Sequence, residues 1–404
     1  MKEKWDYTKF QVMYFIFISG FGFFFPYFNV YLEQSLGFSG SEIGLVLSIS
    51  LFASVIVSPL WGALSDRAGK YRMMFKVLLF VYAIATWFLF QVNALFVVIL
   101  FTTIMEAVGI GLAPMLDVLA VDYCERSGKD YGKLRIAASI GWVFGSFGAG
   151  FLITDLLFDI GNAIFWPLIG LMVLAFILSF ILPDVEKKPK EEEINSGEEK
   201  GAIKSLFQNK AFVFLMVFNF LTISLIDSVM AFVGNHLVTT LGASASAIGM
   251  MNVVAVLPEV IFFFFATKLM MKLGFKKFYI LAVVTLITRF AVYAFTDSIF
   301  FFLAVGAIGP VMMAVAVIGN FLYIKKHVQN NLTGSAFMIN VAILTLGRAV
   351  FSLVFGVIYD LFGSFMLFKF SIVFFVIALI LLIGTRHFDI FDEDLDDVDE
   401  FVVN

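Results

Sequence analysis

Twelve stretches of this 404-residue chain are long and apolar enough to cross a lipid bilayer. A spanning helix needs about 20 mostly apolar residues. Such runs fall near 10–32, 42–63, 73–93, 95–123, 135–154, 161–182, 211–236, 245–266, 276–296, 299–322, 333–357 and 364–385. In hydrocarbon every backbone N–H and C=O must be paired within the protein, which leaves helices or closed barrels. These runs are continuous, without the alternation of barrel strands, so they read as helices. Only 14% of the chain is charged, against roughly 25% in soluble domains. A hydrophobic content of 61% excludes a disordered chain. The single cysteine, Cys124, excludes a disulfide scaffold. No basic stripe points to nucleic acid.

An even number of spans puts both termini on one face. Lys and Arg crowd the loops of that face: Lys2, Lys4 and Lys9; Arg67, Lys70 and Arg72; Arg126, Lys129 and Lys133; Lys187 to Lys204; Lys268 to Lys277; Lys325 and Lys326; and Arg386. The alternate loops near 33–41, 155–160, 237–244 and 297–298 have none. The positive-inside rule then predicts a multi-pass protein of the cell membrane with both termini cytoplasmic. Met1–Phe10 is too short and too charged for a cleavable signal. The expected organisation is a six-helix half over 1–182, a polar cytoplasmic linker over 183–210, a second six-helix half over 211–386 and an acidic tail over 387–404. The tail carries eight acidic residues between Asp389 and Glu400, and these alone make the net charge of −4 negative. It reads as a solvated, disordered end.

The halves show weak internal symmetry. Between spans 2 and 3 lies Gly62-Ala-Leu-Ser-Asp66-Arg67-Ala-Gly69-Lys70-Tyr-Arg72, and a basic residue and a glycine recur between spans 8 and 9 as Lys272 and Gly274. The first copy resembles the signature loop of the major facilitator superfamily. The resemblance implies an all-α membrane protein with two pseudo-symmetric six-helix halves that expose a central site alternately. Gly62 and Gly69 permit a tight turn, and Asp66, Arg67, Lys70 and Arg72 suit a conformational gate at this face. A plain basic loop that fixes topology is the other reading.

Ionisable residues inside spans are costly and mark functional candidates. Here they are Glu106, Asp117 and Asp122 in span 4, Arg135 opening span 5, Asp227 in span 7, Glu259 in span 8, Arg289 in span 9, Arg348 in span 11 and Lys369 in span 12. Asp117 and Arg135 flank a short hairpin and can meet across it. Trp142 follows Arg135 by two helical turns, on the same face. A carboxylate accepts from hydroxyls, a guanidinium donates a planar fork, and an indole face stacks on a sugar ring. The same pair also suits an interfacial contact that fixes the hairpin. Asp227 suits an interhelical ion pair with Arg289 or Arg348, Asp122 reads as interfacial, and Lys369 is expected to snorkel or to pair with Asp360.

This segment resembles the lactose permease branch of the superfamily. There an acid in helix 4, an arginine eighteen residues on and a tryptophan seven further bind the galactoside; Asp117, Arg135 and Trp142 keep that spacing, with Asp for the family's Glu. Asp227 and Glu259 keep the family's separation of two membrane acids, and Arg289 falls where it has an arginine. The family's histidine and glutamate of helix 10 have no counterparts, because Ala304–Pro310 is uncharged. The helix 11 lysine aligns near Leu344, one turn from Arg348. The block Asp130-Tyr-Gly-Lys-Leu-Arg135 also resembles the phenylpropionate permeases.

These resemblances imply a proton-coupled symporter of a small polar solute, a sugar or oligosaccharide first. Asp117, Arg135, Trp142, Glu259 and Arg289 are expected to bind it. Glu259 first, then Asp227, Glu106 and Arg348, are expected to couple it to protons. An aromatic acid or nucleoside carrier is the alternative, and a non-transporting receptor a second. No nucleophile or metal constellation points to an enzyme. No cofactor is expected beyond the coupling proton, and the family default is a monomer in membrane lipid.

Overall fold

The structure, a computed structural model, describes residues 2–68, 70–153, 158–183, 205–329 and 332–385. Most of the expected linker, and all of the acidic tail, lie outside the described residues. Twelve helices among these residues have the length and apolarity of membrane spans. They are α1 (Lys2–Gln34), α2 (Gly40–Ala68), α3 (Tyr71–Phe90), α4 (Leu95–Ser127), α5 (Tyr131–Leu152) and α6 (Ile160–Ser179). Then follow α7 (Lys210–Met230), α8 (Ser246–Leu273), α9 (Phe275–Phe295), α10 (Ile299–His327), α11 (Thr333–Phe362) and α12 (Ser364–Gly384). Large apolar side chains such as Phe96, Phe264 and Phe300 stay more than 70% exposed, as a lipid-facing surface requires.

Two spans depart from the sequence expectation in a way that matters. The apolar run 211–236 is not one regular helix. A wide π turn at Phe220–Ser224 interrupts α7, which ends at Met230. A short helix, Val233–Asn235, and a second π turn, His236–Thr240, follow. In α10 a tight 3₁₀ stretch, Val305–Ile308, gives way to Pro310 and then a π turn at Val315–Gly319. Pro310 lacks an N–H, so regular pairing fails there. Span 5 also begins earlier than expected, at Tyr131, which puts Arg135 one full turn inside the helix.

The chain clusters into two compact units. One comprises Met1–Glu193 with Ala231–Val253 and Ser352–Leu361; the other comprises Ile194–Met230, Val254–Phe351 and Phe362–Asn404. In the first unit, α1 and α5 cross in backbone contact. A Cβ on Gly22 would lie 2.6 Å from the Trp142 carbonyl oxygen, so only glycine fits. This crossing fixes the height of α5 against α1.

Candidate functional site

The first cluster is built by a hairpin. α4 ends at Gly128, whose φ of +63° is the left-handed conformation glycine adopts without strain. Asp130 then caps α5, its carboxylate accepting from the Lys133 amide at 3.3 Å. The reversal brings Arg135 back to α4, where its Nη1 donates to Asp117 Oδ2 at 2.6 Å. Two phenols complete the site. Tyr14 on α1 and Tyr131 on α5 both donate to Asp117 Oδ1, at 2.5 and 2.8 Å. Arg135 Nη1 also donates to the Tyr131 oxygen at 2.8 Å. Asp117 therefore accepts from three groups on two neighbouring helices. The Arg135 side chain stays 53% exposed, with Nε and Nη2 left to take further acceptors.

The sequence did not mark Tyr14 or Tyr131. Tyr131 had a signal, since it stands one turn before Arg135 on the same face. Tyr14 had none, because 103 residues separate it from Asp117. Trp142 is half-buried, and its indole N–H donates to Asn252 Oδ1 on α8 at 3.2 Å. Asn252 belongs to the same compact unit and was likewise unmarked. Glu106 lies half-buried in α4, three turns before Asp117. Asp122 pairs with Arg126 within α4.

A second cluster lies wholly in the other unit. A cavity of about 140 Å³ is lined by Asp227, Glu259, Thr285 and Arg289 among apolar side chains such as Leu286 and Met312. Its walls are the irregular parts of the fold. Asp227 follows the π turn of α7, Glu259 follows Pro258 in α8, and Ile308–Pro310 is the break in α10. Irregular helices lose main-chain pairing and recur at such sites. Asp227 Oδ2 stands 3.7 Å from Arg348 Nε, so of the two expected partners it takes Arg348. Arg289 instead donates from Nε to the Tyr293 hydroxyl at 2.9 Å, with its guanidinium 5.3 Å from that ring centre. Gly309 makes room for it, because a Cβ there would fall 2.7 Å from Arg289 Nη1. Arg289 is only 8% exposed, and no carboxylate among the described residues lies within 4.0 Å of it. Glu259 likewise has no hydrogen-bond or ion-pair partner among the described residues. The five expected binding residues thus fall in two groups: Asp117, Arg135 and Trp142 in one unit, Glu259 and Arg289 in the other.

Of the expected gate, Gly62 is exposed within α2, nearly two turns before its end, and Lys70 is exposed just before α3. Arg72 donates to the Leu182 carbonyl, just past α6, at 2.8 Å. Asp66 and Arg67 lie in the last turn of α2, and Gly69 lies outside the described residues. Lys369 sits over the Phe295 ring at 5.3 Å, while Asp360 accepts from the amides of Gly40 and Ser41. Of the two readings of Lys369, the pair with Asp360 gives way to these contacts, because a helix N-terminus offers the carboxylate two free N–H groups.

Twelve spanning helices, membrane charges gathered on broken helices and a basic signature loop define a multi-pass secondary transporter of the major facilitator fold. The chain belongs to the MFS_1 like family, whose model matches residues 7–370. It is 26% identical over 296 residues to the maltose permease of Geobacillus stearothermophilus, covering 73% of this chain and 72% of that one. It is 25% identical over 293 residues to a probable 3-phenylpropionic acid transporter of Escherichia coli, covering 71% and 73%. The crystal structure of the nucleoside transporter NupG superposes with a TM-score of 0.83 at 15% identity, over 94% of this chain and 98% of the other. These relatives are permeases and transporters, and the chain is a transporter of the lactose-permease-like branch rather than an enzyme.

Proposed function

We propose that this transporter carries a small polar solute, a sugar or oligosaccharide first, in symport with protons. The observation behind this reading is the Asp117–Arg135 pair at 2.6 Å with Trp142 two turns further on α5. An acceptor, a half-free planar donor and an indole are the chemistry a pyranose needs. Glu259 is the coupling carboxyl in this proposal. It lines a cavity among apolar side chains and lacks a partner that would hold it in one state. Substrate favours the state it binds most tightly, and the site is exposed to the two faces in turn. The membrane potential contributes about 2.3 kcal/mol per charge per 100 mV. No cofactor takes part, and the protein acts as a monomer in the cell membrane with both termini cytoplasmic.

The same cavity supports a second reading. Arg289 is buried without a carboxylate in a mostly apolar lining, which suits an aromatic acid. The family member named for 3-phenylpropionic acid supports it. Uptake by purified protein in proteoliposomes, competed with a sugar panel and an aromatic-acid panel, separates the two. Competition by sugars and loss of accumulation with an uncoupler are expected. Competition by acids alone would replace the first reading with the second.

A further inference from the structure

The membrane face opposite the N-terminus carries a polar cluster that no step above uses. Glu33, in the last turn of α1, accepts three hydrogen bonds. Asn235 Nδ2 and Thr239 Oγ1 donate to Oε2 at 2.6 and 2.9 Å, and the Tyr359 hydroxyl donates to Oε1 at 2.8 Å. The Asn235 amide also reaches the Asn29 carbonyl at 3.0 Å, and Asn29 Nδ2 reaches the Ala231 carbonyl at 2.7 Å. Beside them Asp360, at the end of α11, accepts from the amides of Gly40 and Ser41 at 2.6 and 2.8 Å. All of these residues belong to one compact unit. Yet Glu33 and the α2 amides come from the first half of the sequence, and their partners from the second. Each carboxylate ties the two halves of the chain together at this face.

The chemistry of the donors is informative. They are amides, hydroxyls and a phenol; among the described residues no Lys or Arg lies within 4.0 Å of Glu33 or Asp360. Loops 33–41 and 237–244 contain no cation at all. Glu33 is only half-buried and Asp360 is exposed, so when the donors leave, water can take their place on each carboxylate.

We propose that Glu33 and Asp360 form a releasable latch that holds this face closed and lets go each time the face opens. The inference rests on the transporter class and is independent of which solute is carried. It is tested without any substrate. Spin labels are placed at Asn93→Cys and Asp297→Cys, exposed positions of two loops on this face, in a Cys124→Ala background. Distances are read by pulsed electron resonance in lipid nanodiscs. Deleting one hydrogen bond, by Tyr359→Phe or Thr239→Val, is expected to raise the ratio of long to short distances about threefold to tenfold. Glu33→Ala is expected to raise it further. The single-donor variants keep the carboxylate, so they report even where Glu33→Ala fails to fold. Unchanged distributions in Tyr359→Phe and Thr239→Val would overturn the latch, whatever the outcome of the sugar and acid panels.

Discussion

Arg135 and Asp117 meet at 2.6 Å across the α4–α5 hairpin, and Tyr131 bridges them by donating to the carboxylate and accepting from the guanidinium. The pair is held on one side and open on the other. Replacing Arg135 by Ala is expected to abolish uptake while membrane insertion survives. Arg135→Lys should recover little, because an ammonium lacks the planar fork. Uptake at wild-type level by a well-inserted Arg135→Ala protein would remove this cluster from the binding site.

The two phenols hold the Asp117 carboxylate in place. A hydrogen bond to a charged group contributes about 1.5–3 kcal/mol. Partial exposure of the pair puts the effect at the low end of that range. Tyr14→Phe and Tyr131→Phe are therefore each expected to weaken apparent affinity roughly tenfold. Concentration-dependent uptake measures it. Unaltered half-saturation in both variants would leave the phenols as packing groups.

Glu259→Gln tests coupling. The amide keeps the size of the side chain and cannot carry a proton through a cycle. Uphill accumulation should vanish, while exchange of labelled for unlabelled solute continues. Accumulation that persists and still responds to an uncoupler would assign coupling to another carboxyl, Asp227 or Glu106.

Asp227 and Arg348 form a pair at 3.7 Å. Removing one partner leaves a charge stranded near hydrocarbon, while removing both does not. Asp227→Asn and Arg348→Gln should each lower the amount of folded protein, and the double variant should recover most of it. A non-additive double-mutant cycle in thermal unfolding measures the coupling. Additive losses would mean that the pair contributes nothing.

In the same unit Asn219 Nδ2 donates to Asn340 Oδ1 at 2.8 Å, both residues buried. Interhelical hydrogen bonds of this kind contribute about 0.6 kcal/mol on average in membranes, up to about 1.7. Asn340→Leu is expected to destabilise the protein within that range, as read by unfolding in mixed micelles. A larger loss would mean that further groups depend on this amide.

Twelve spans were legible because the membrane requirement is a matter of length and apolarity, both written along one dimension. The Asp117–Arg135 contact was legible for a related reason: a hairpin brings residues eighteen apart together, and helical spacing aligns Trp142 and Tyr131 with them. Charges in hydrocarbon are few, so Asp227, Glu259 and Arg289 stood out and fell around one cavity. Tyr14 was not legible, because its partner is far away in sequence and a tyrosine among fifty-three phenylalanines looks like packing. Nor was the choice of Arg348 over Arg289 as the partner of Asp227. Hydropathy treats α7 and α10 as regular spans, although their π and 3₁₀ turns shape the cavity wall.

The sequence by itself determined that this chain crosses a bilayer twelve times and which charges must lie inside it. Hydropathy and the cost of burying charge act residue by residue, so no fold is needed to read them. The tertiary structure alone decided that Asp227 meets Arg348 and not Arg289. It also decided that two phenols brace Asp117, that Arg289 turns to Tyr293, and that Glu33 gathers donors from two distant segments. Such partnerships depend on directions and distances between helices. These are set where backbones can approach, as at Gly22, and where helices break, as at Pro310; neither can be read from the order of residues along one strand of chain.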